Sequence, residues 1–173
     1  MLTAQGQGDL NLTLNTLGKF EMIGDYKIKN GSYLFTLENV INKKFDIENG
    51  SSISWSGDPY NADINVITNY RQRASVATLL NDSAFKARTQ VDCKLKITDK
   101  LFSPNIAFDI EFPNLDATAR SRIASVLSDE TELNRQVFSF LLFRSFVTPL
   151  VYSGNAYGGV TATGAAANTG SEL

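Results

Sequence analysis

A general base, a nucleophile or a metal cage needs particular side chains at particular spacings, and this chain offers few of them. Histidine is absent, which takes away the commonest general base and the commonest metal ligand together. A Ser-His-Asp triad, a Cys-His pair and any histidine-containing zinc site go with it. Cys93 is the one cysteine, so no internal disulfide can form. It stands in the alternating run Val91, Cys93, Leu95, which reads as a small buried hydrophobe rather than a reactive thiol. Asp109 and Glu111 flank Ile110 on one row of a strand; with no recess around them, they read as solvated strand charges rather than an acid and base pair. Asp129, Glu130 and Glu132 suit the positive end of the helix that follows them, without metal. Arg135 and Arg144 do not share a helix face; each can cap the helix or pair with a carboxylate, with a lipid phosphate as the other reading. Gly6 and Gly8 precede neither a basic residue nor a helix start, so they form no phosphate loop. These residues predict a protein that is not an enzyme and uses no cofactor and no metal.

Composition narrows the classes further. A length of 173 residues, 43% hydrophobic and 20% charged, fits one domain able to bury its own core. The net charge of -2 leaves the basic residues in small groups such as Lys43-Lys44 and Arg71/Arg73, which argues against nucleic acid as a partner. No apolar run approaches the roughly 20 residues needed to span a bilayer. The opening Met-Leu-Thr-Ala-Gln lacks the basic and apolar regions of a signal peptide. If the parent protein is exported, the chain is expected to be a fragment of it.

The elements that must hold these residues are mostly strands. In 45-FDIENGSSISWSGDPY-60, Phe45, Ile47, Ile53 and Trp55 alternate with polar residues, and the same period of two recurs along the chain. It predicts strands at Asp9 to Asn15, Phe20 to Lys29, Ser32 to Glu38, Lys44 to Glu48, Ser52 to Ser56, Ala62 to Tyr70, Gln90 to Thr98 and Asn105 to Phe112. One row of each is apolar. Short punctuation at Gly18, Asn30-Gly31, Asn49-Gly50 and Gly57-Asp58-Pro59 favours antiparallel hairpins. Asp116 is a fair N-cap for a helix over Ala117 to Leu127, and Thr131-Glu132 can start a second that stops before Pro149. That second helix is apolar nearly all round. Ala74 to Leu80 reads equally as a helical turn or a loop. The expected organisation is one domain over 1-152, with a sheet over 8-112 and helices over 116-147, then a small-residue tail over 153-173.

A one-sided sheet either closes over its own side chains or carries something apolar in a groove, and pattern alone favours the closed core. Trp55, beside the Gly57-Asp58-Pro59 turn, can be a core plug or a groove-rim residue.

Three stretches decide between these readings: 39-NVINKKFDIENGSSISWSGDPYNADINV-66, 120-RSRIASVL-127 and 134-NRQVFSFLLFRSF-146. They resemble the C-terminal domain of the TamB family, AsmA-like subunits of the translocation and assembly module, in its Bacteroidota form. The resemblance runs from about Gly8 to Leu173. Asp99 stands where a glycine is expected, and the end at Ser171-Glu172-Leu173 falls short of a further amphipathic helix. The resemblance implies a curved antiparallel sheet, a β-taco or open half-barrel with an apolar concave face, plus two C-terminal helices. It implies a periplasmic place within a protein anchored in the inner membrane, the anchor lying outside this sequence. It also implies phospholipid acyl chains as cargo and TamA, an Omp85-type outer-membrane barrel, as partner. The expected groove lining is Phe20, Met22, Tyr26, Tyr33, Phe35, Leu37, Phe45, Ile47, Ile53, Trp55, Ile64 and Val66. The expected docking helix presents Val137, Phe138, Leu141 and Leu142. A role in assembling outer-membrane or secreted proteins by strand pairing is the alternative.

Overall fold

The computed structural model describes residues 1–38 and 40–153. The molecule is mainly β. Its strands are β1 Leu2–Leu14, β2 Phe20–Leu37, β3 Ile41–Ile47, β4 Ser52–Gly57, β5 Asp63–Ser75, β6 Arg88–Lys100 and β7 Ser103–Glu111. A single helical turn, α1 Ala77–Leu80, lies between β5 and β6, and α2 Ala117–Val126, α3 Glu130–Phe143 and α4 Leu150–Ser153 follow the last strand. The strands form one antiparallel sheet in the order β1-β2-β3-β5-β6-β7, with β4 paired to β2 and β5.

Two of the expected hairpin connections are not hairpins. Asn30 and Gly31 continue β2 in register with Gln5 and Ala4, and the irregularity appears instead as a bulge between Gln5 and Gly6. Two expected strands are therefore one. Gly31 serves close approach there, since a Cβ on it would meet the Thr3 carbonyl oxygen at 2.5 Å. Asn49-Gly50 is no hairpin either. Strand β3 pairs with the second half of β2, Asp46 opposite Ser32, and β4 with the first half, Ser52 opposite Lys27. Both run the same way, so they form one row interrupted by residues 48–51. Ser51 stitches the gap: its Oγ accepts from Ile67 N at 3.0 Å and donates to Glu48 O at 2.8 Å, while its carbonyl accepts from Ile28 N at 2.8 Å. The sheet is thus six rows wide, about 24 Å across five spacings, where eight stacked strands give about 34 Å across seven.

The sheet is curled but not closed. Phe35 on β2 and Phe108 on β7 are four strand spacings apart, about 19 Å in a flat sheet. Their ring centroids are 5.6 Å apart. The helices sit at this curled end. Asp116 caps α2 by accepting from Ala119 N at 2.8 Å, as its position predicts, and Asp129 caps α3 by accepting from Glu132 N at 2.9 Å. Helix α3 stops at Arg144, in the left-handed conformation with φ 55°, and not before Pro149. Gln136 explains the early stop, because its amide pairs with Val147 in both directions, 2.8 and 3.0 Å, and folds the chain back along the helix. Of Ala74 to Leu80, expected as a helical turn or a loop, Ala74 and Ser75 end β5 and Ala77 to Leu80 form α1, its Leu79 and Leu80 buried; a 3-10 turn at Ser83–Phe85 follows. Apart from Ser153, the expected tail lies outside the described residues.

Candidate functional site

The register assembles one continuous apolar face. Leu10 lies opposite Gly24 and Gly24 opposite Trp55; Tyr26 lies opposite Ile53, and Ile53 opposite Ile64. Register partners point to the same side of a sheet, so these residues share the concave face with Tyr33 and Phe45, which are also opposite one another.

Burial divides this face in two. At the curled end, Phe35, Phe45, Ile47, Ile64 and Val66 are buried, with Phe45 and Val66 at 0% exposure. Aromatic contacts close that end: Phe45 on Tyr70 at 5.6 Å, Tyr70 on Phe140 at 6.1 Å and Phe108 on Phe138 at 5.8 Å. Helix α3 is the lid. Among the described residues, no α-helix covers the other end of the sheet. There Met22, Tyr26, Ile53 and Trp55 are half-buried, and Phe20 is 45% exposed. Tyr33 is half-buried and Leu37 exposed at the β2 to β3 corner. Of the twelve expected lining residues, the five named at the curled end therefore face side chains, and the others face solvent at least in part.

Leu10, Leu12 and Leu14 extend the open end, Leu12 at 60% and Leu14 at 70% exposure. Their alternation was visible in sequence, but their place beside Met22 and Phe20 depends on the β1 to β2 register. Gly24 shapes this wall. Its φ is 138°, and a Cβ there would collide with the Asp9 carbonyl oxygen, so β1 and β2 come together only because the position has no side chain. Tyr26 lies over the neighbouring bare backbone, its Cζ 3.0 Å from where a Cβ on Gly6 would stand.

The expected docking helix turns inward. Val137 and Leu141 have 0% exposure and Phe138 is half-buried. Leu142, at 37%, and Phe143, at 72%, are what α3 offers to solvent. A helix apolar all round gives no sign of which side is covered, so Phe143 is not separable in sequence from Val137 and Leu141.

The polar groups are tied into the frame. Asp109 pairs with Lys96 at 3.0 Å and Glu111 with Lys94 at 3.0 Å. Arg71 grips Asp92 with Nε and Nη2, both at 2.7 Å, which holds that carboxyl below its ordinary range despite its burial. Burial would raise the carboxyl of Glu132, but hydrogen bonds from Gln136, Arg135 and the Leu150 N–H outweigh it and lower the pKa. Arg135 spans Glu132 and the Thr148 carbonyl, so it is a strap for residues 144–150.

The concave face thus combines a sealed apolar core at one end with exposed and half-buried apolar side chains at the other. Among the described residues, no helix is long and apolar enough to cross a membrane. The family model of the TamB C-terminal domain matches residues 1–173, and the chain belongs to that family. No curated protein and no solved structure matches it. Membership assigns the chain to outer-membrane biogenesis, in a family of periplasmic domains that work with an Omp85-type partner.

Proposed function

As one of the TamB C-terminal domains, we propose, the chain offers the open half of its concave face to phospholipid acyl chains passing between the inner and outer membranes. The observation that carries this reading is the apolar wall of exposed Leu10, Leu12, Leu14 and Phe20 with half-buried Met22 and Trp55, continuous with the core yet outside it. Each methylene moved from water onto such a wall gains about 0.8 kcal/mol wherever it lies, so a chain can slide with little change in energy. No catalytic residue is required. A photoreactive residue at Phe20 should capture phospholipid during purification from cells, whereas one at Phe35, packed against Phe45 and Phe108, should capture none. Equal capture at both positions, or none at Phe20, contradicts the reading.

Docking to the Omp85-type partner then falls to the exposed end of α3 and the free strand edges. Val137 and Leu141 act by holding the helix in place. Asp at Leu142 and Phe143 should abolish co-purification with the partner while the fold survives.

One observation favours assembly by strand pairing instead. Strand β1 is a thirteen-residue edge with neither lysine nor proline, the features that usually blunt an exposed edge. Proline substitutions along β1 should spoil that activity and spare lipid capture, and Asp at Met22 should do the reverse.

A further inference from the structure

Three guanidinium groups converge where β5 ends and β6 begins. Arg71, Arg73 and Arg88, with Gln72, Gln90 and Asn114, line a cleft of about 500 Å³. All six side chains carry N–H donors and none carries a carboxylate. The register puts Arg71 opposite Asp92, Arg73 opposite Gln90 and Ser75 opposite Arg88. The arginines therefore follow one row, on the face away from Tyr70 and Cys93, and the cleft is separate from the apolar trough.

Their charges are not equally met. Asp92, itself 5% exposed, takes the fork of Arg71. Arg73 and Arg88 reach only carbonyls: Arg73 Nη2 donates to Arg88 O at 2.9 Å, and Arg88 Nε and Nη2 donate to Arg73 O at 3.2 and 2.7 Å. Among the described residues, neither has a carboxylate partner. A carbonyl orients a guanidinium without neutralising it, so two cations are held side by side by each other's backbone. Such a pair repels itself in the absence of an anion, and each guanidinium keeps N–H donors that these carbonyls do not engage.

We propose that this cleft binds a phosphate group, with Arg73 and Arg88 as the cationic donors and Asn114 as a neutral one, while Gln90 donates to Asp92 at 3.3 Å. The phosphate belongs either to a lipid headgroup at a membrane surface or to a soluble phosphate ester. The proposal stands on charge and hydrogen bonding alone, and holds whether or not the trough carries acyl chains.

Two probes distinguish the sources. Glycerol 3-phosphate titrated into the 173-residue chain should shift the Nε–H resonances of Arg73 and Arg88 in NMR spectra. Vesicles of phosphatidylglycerol in phosphatidylcholine should carry the protein upward in flotation, progressively less as salt rises. A response to the soluble ester alone assigns a soluble ligand, and flotation assigns the headgroup; both support the site. Arg73→Gln with Arg88→Gln leaves the Arg71 to Asp92 pair intact, and should weaken vesicle binding about thirtyfold, from the loss of two basic side chains at an anionic surface. Circular dichroism checks that the variant folds, and the titration of the unaltered chain decides the matter if it does not. No response to either probe, or vesicle binding unchanged in the folded double variant, overturns the proposal.

Discussion

Single residues here are mostly set to hold rather than to react. Burial, with the charge of Asp109 adding to it, pushes the Cys93 thiol up to about 12, so the thiolate is scarce at neutral pH. A maleimide should label Cys93 in the native protein no faster than the protein unfolds; fast labelling would show that the β6 to β7 region opens. Asp92 and Glu132 are the opposite case, carboxyls held below their ordinary range by hydrogen bonds and nearby guanidinium groups. A depressed folded pKa contributes stability above the unfolded value, and that stability disappears as pH falls through the folded one. The protein should therefore lose stability as pH drops below about 4. Glu132→Gln keeps the shape, removes the charge, and should flatten that part of the curve in denaturant melts at several pH values. A slope unchanged in the variant would mean that Glu132 contributes little to the acid limb.

At the scale of elements, Ser51 and α3 carry the sharpest expectations. Ser51 accepts from Ile67 N across the interrupted row, so Ser51→Ala leaves that amide without its partner and should cost about 1–3 kcal/mol in chemical denaturation. A change near zero would show that the row is held by β2 and β5 alone. Leu141 is fully buried and Phe143 is not. Leu141→Ala should cost about 2–5 kcal/mol and Phe143→Ala under 0.5 kcal/mol, so deleting residues 132–147 should unfold the sheet rather than merely undock a partner.

The legibility of these elements follows the same division. Alternation placed part of every strand found and the one-sidedness of the sheet, but not the first half of β1 (Leu2 to Gly8) or the end of β5 beyond Tyr70, and Asp116 placed the start of α2. What it could not place was the role of Asn30-Gly31 and Asn49-Gly50. Both dipeptides have turn chemistry, but a bulge uses the same freedom as a hairpin, and only the long-range pairing of β2 with β1, β3 and β4 selects between them. The early stop of α3 was hidden for a similar reason, since it depends on Gln136 meeting a backbone eleven residues away.

At the scale of the whole molecule, the division of the concave face into a sealed and an open end is a consequence of unequal curling. One end of the sheet rolls until Phe35 meets Phe108 and is sealed by α3; the other, where Gly24 draws β1 against β2, stays open. Nothing in a period of two encodes where a sheet rolls up, so the sequence marks the lining residues without separating those sealed from those exposed. The single tryptophan lies at the open end, half-buried and opposite Gly24, and so reports on what occupies it. If acyl chains lie along this wall, a brominated phospholipid should quench Trp55 fluorescence, and an unbrominated one should shift the emission to the blue as water leaves the indole. Met22→Asp, on the strand paired with β4, should reduce both effects, because a carboxylate on the wall must be desolvated before a chain can lie over it. Phe35→Leu, a change inside the sealed end, should leave them nearly intact while lowering stability. Quenching by brominated lipid that is equal in Met22→Asp and the unaltered chain would mean that the lipid reaches Trp55 from solvent, not along the trough.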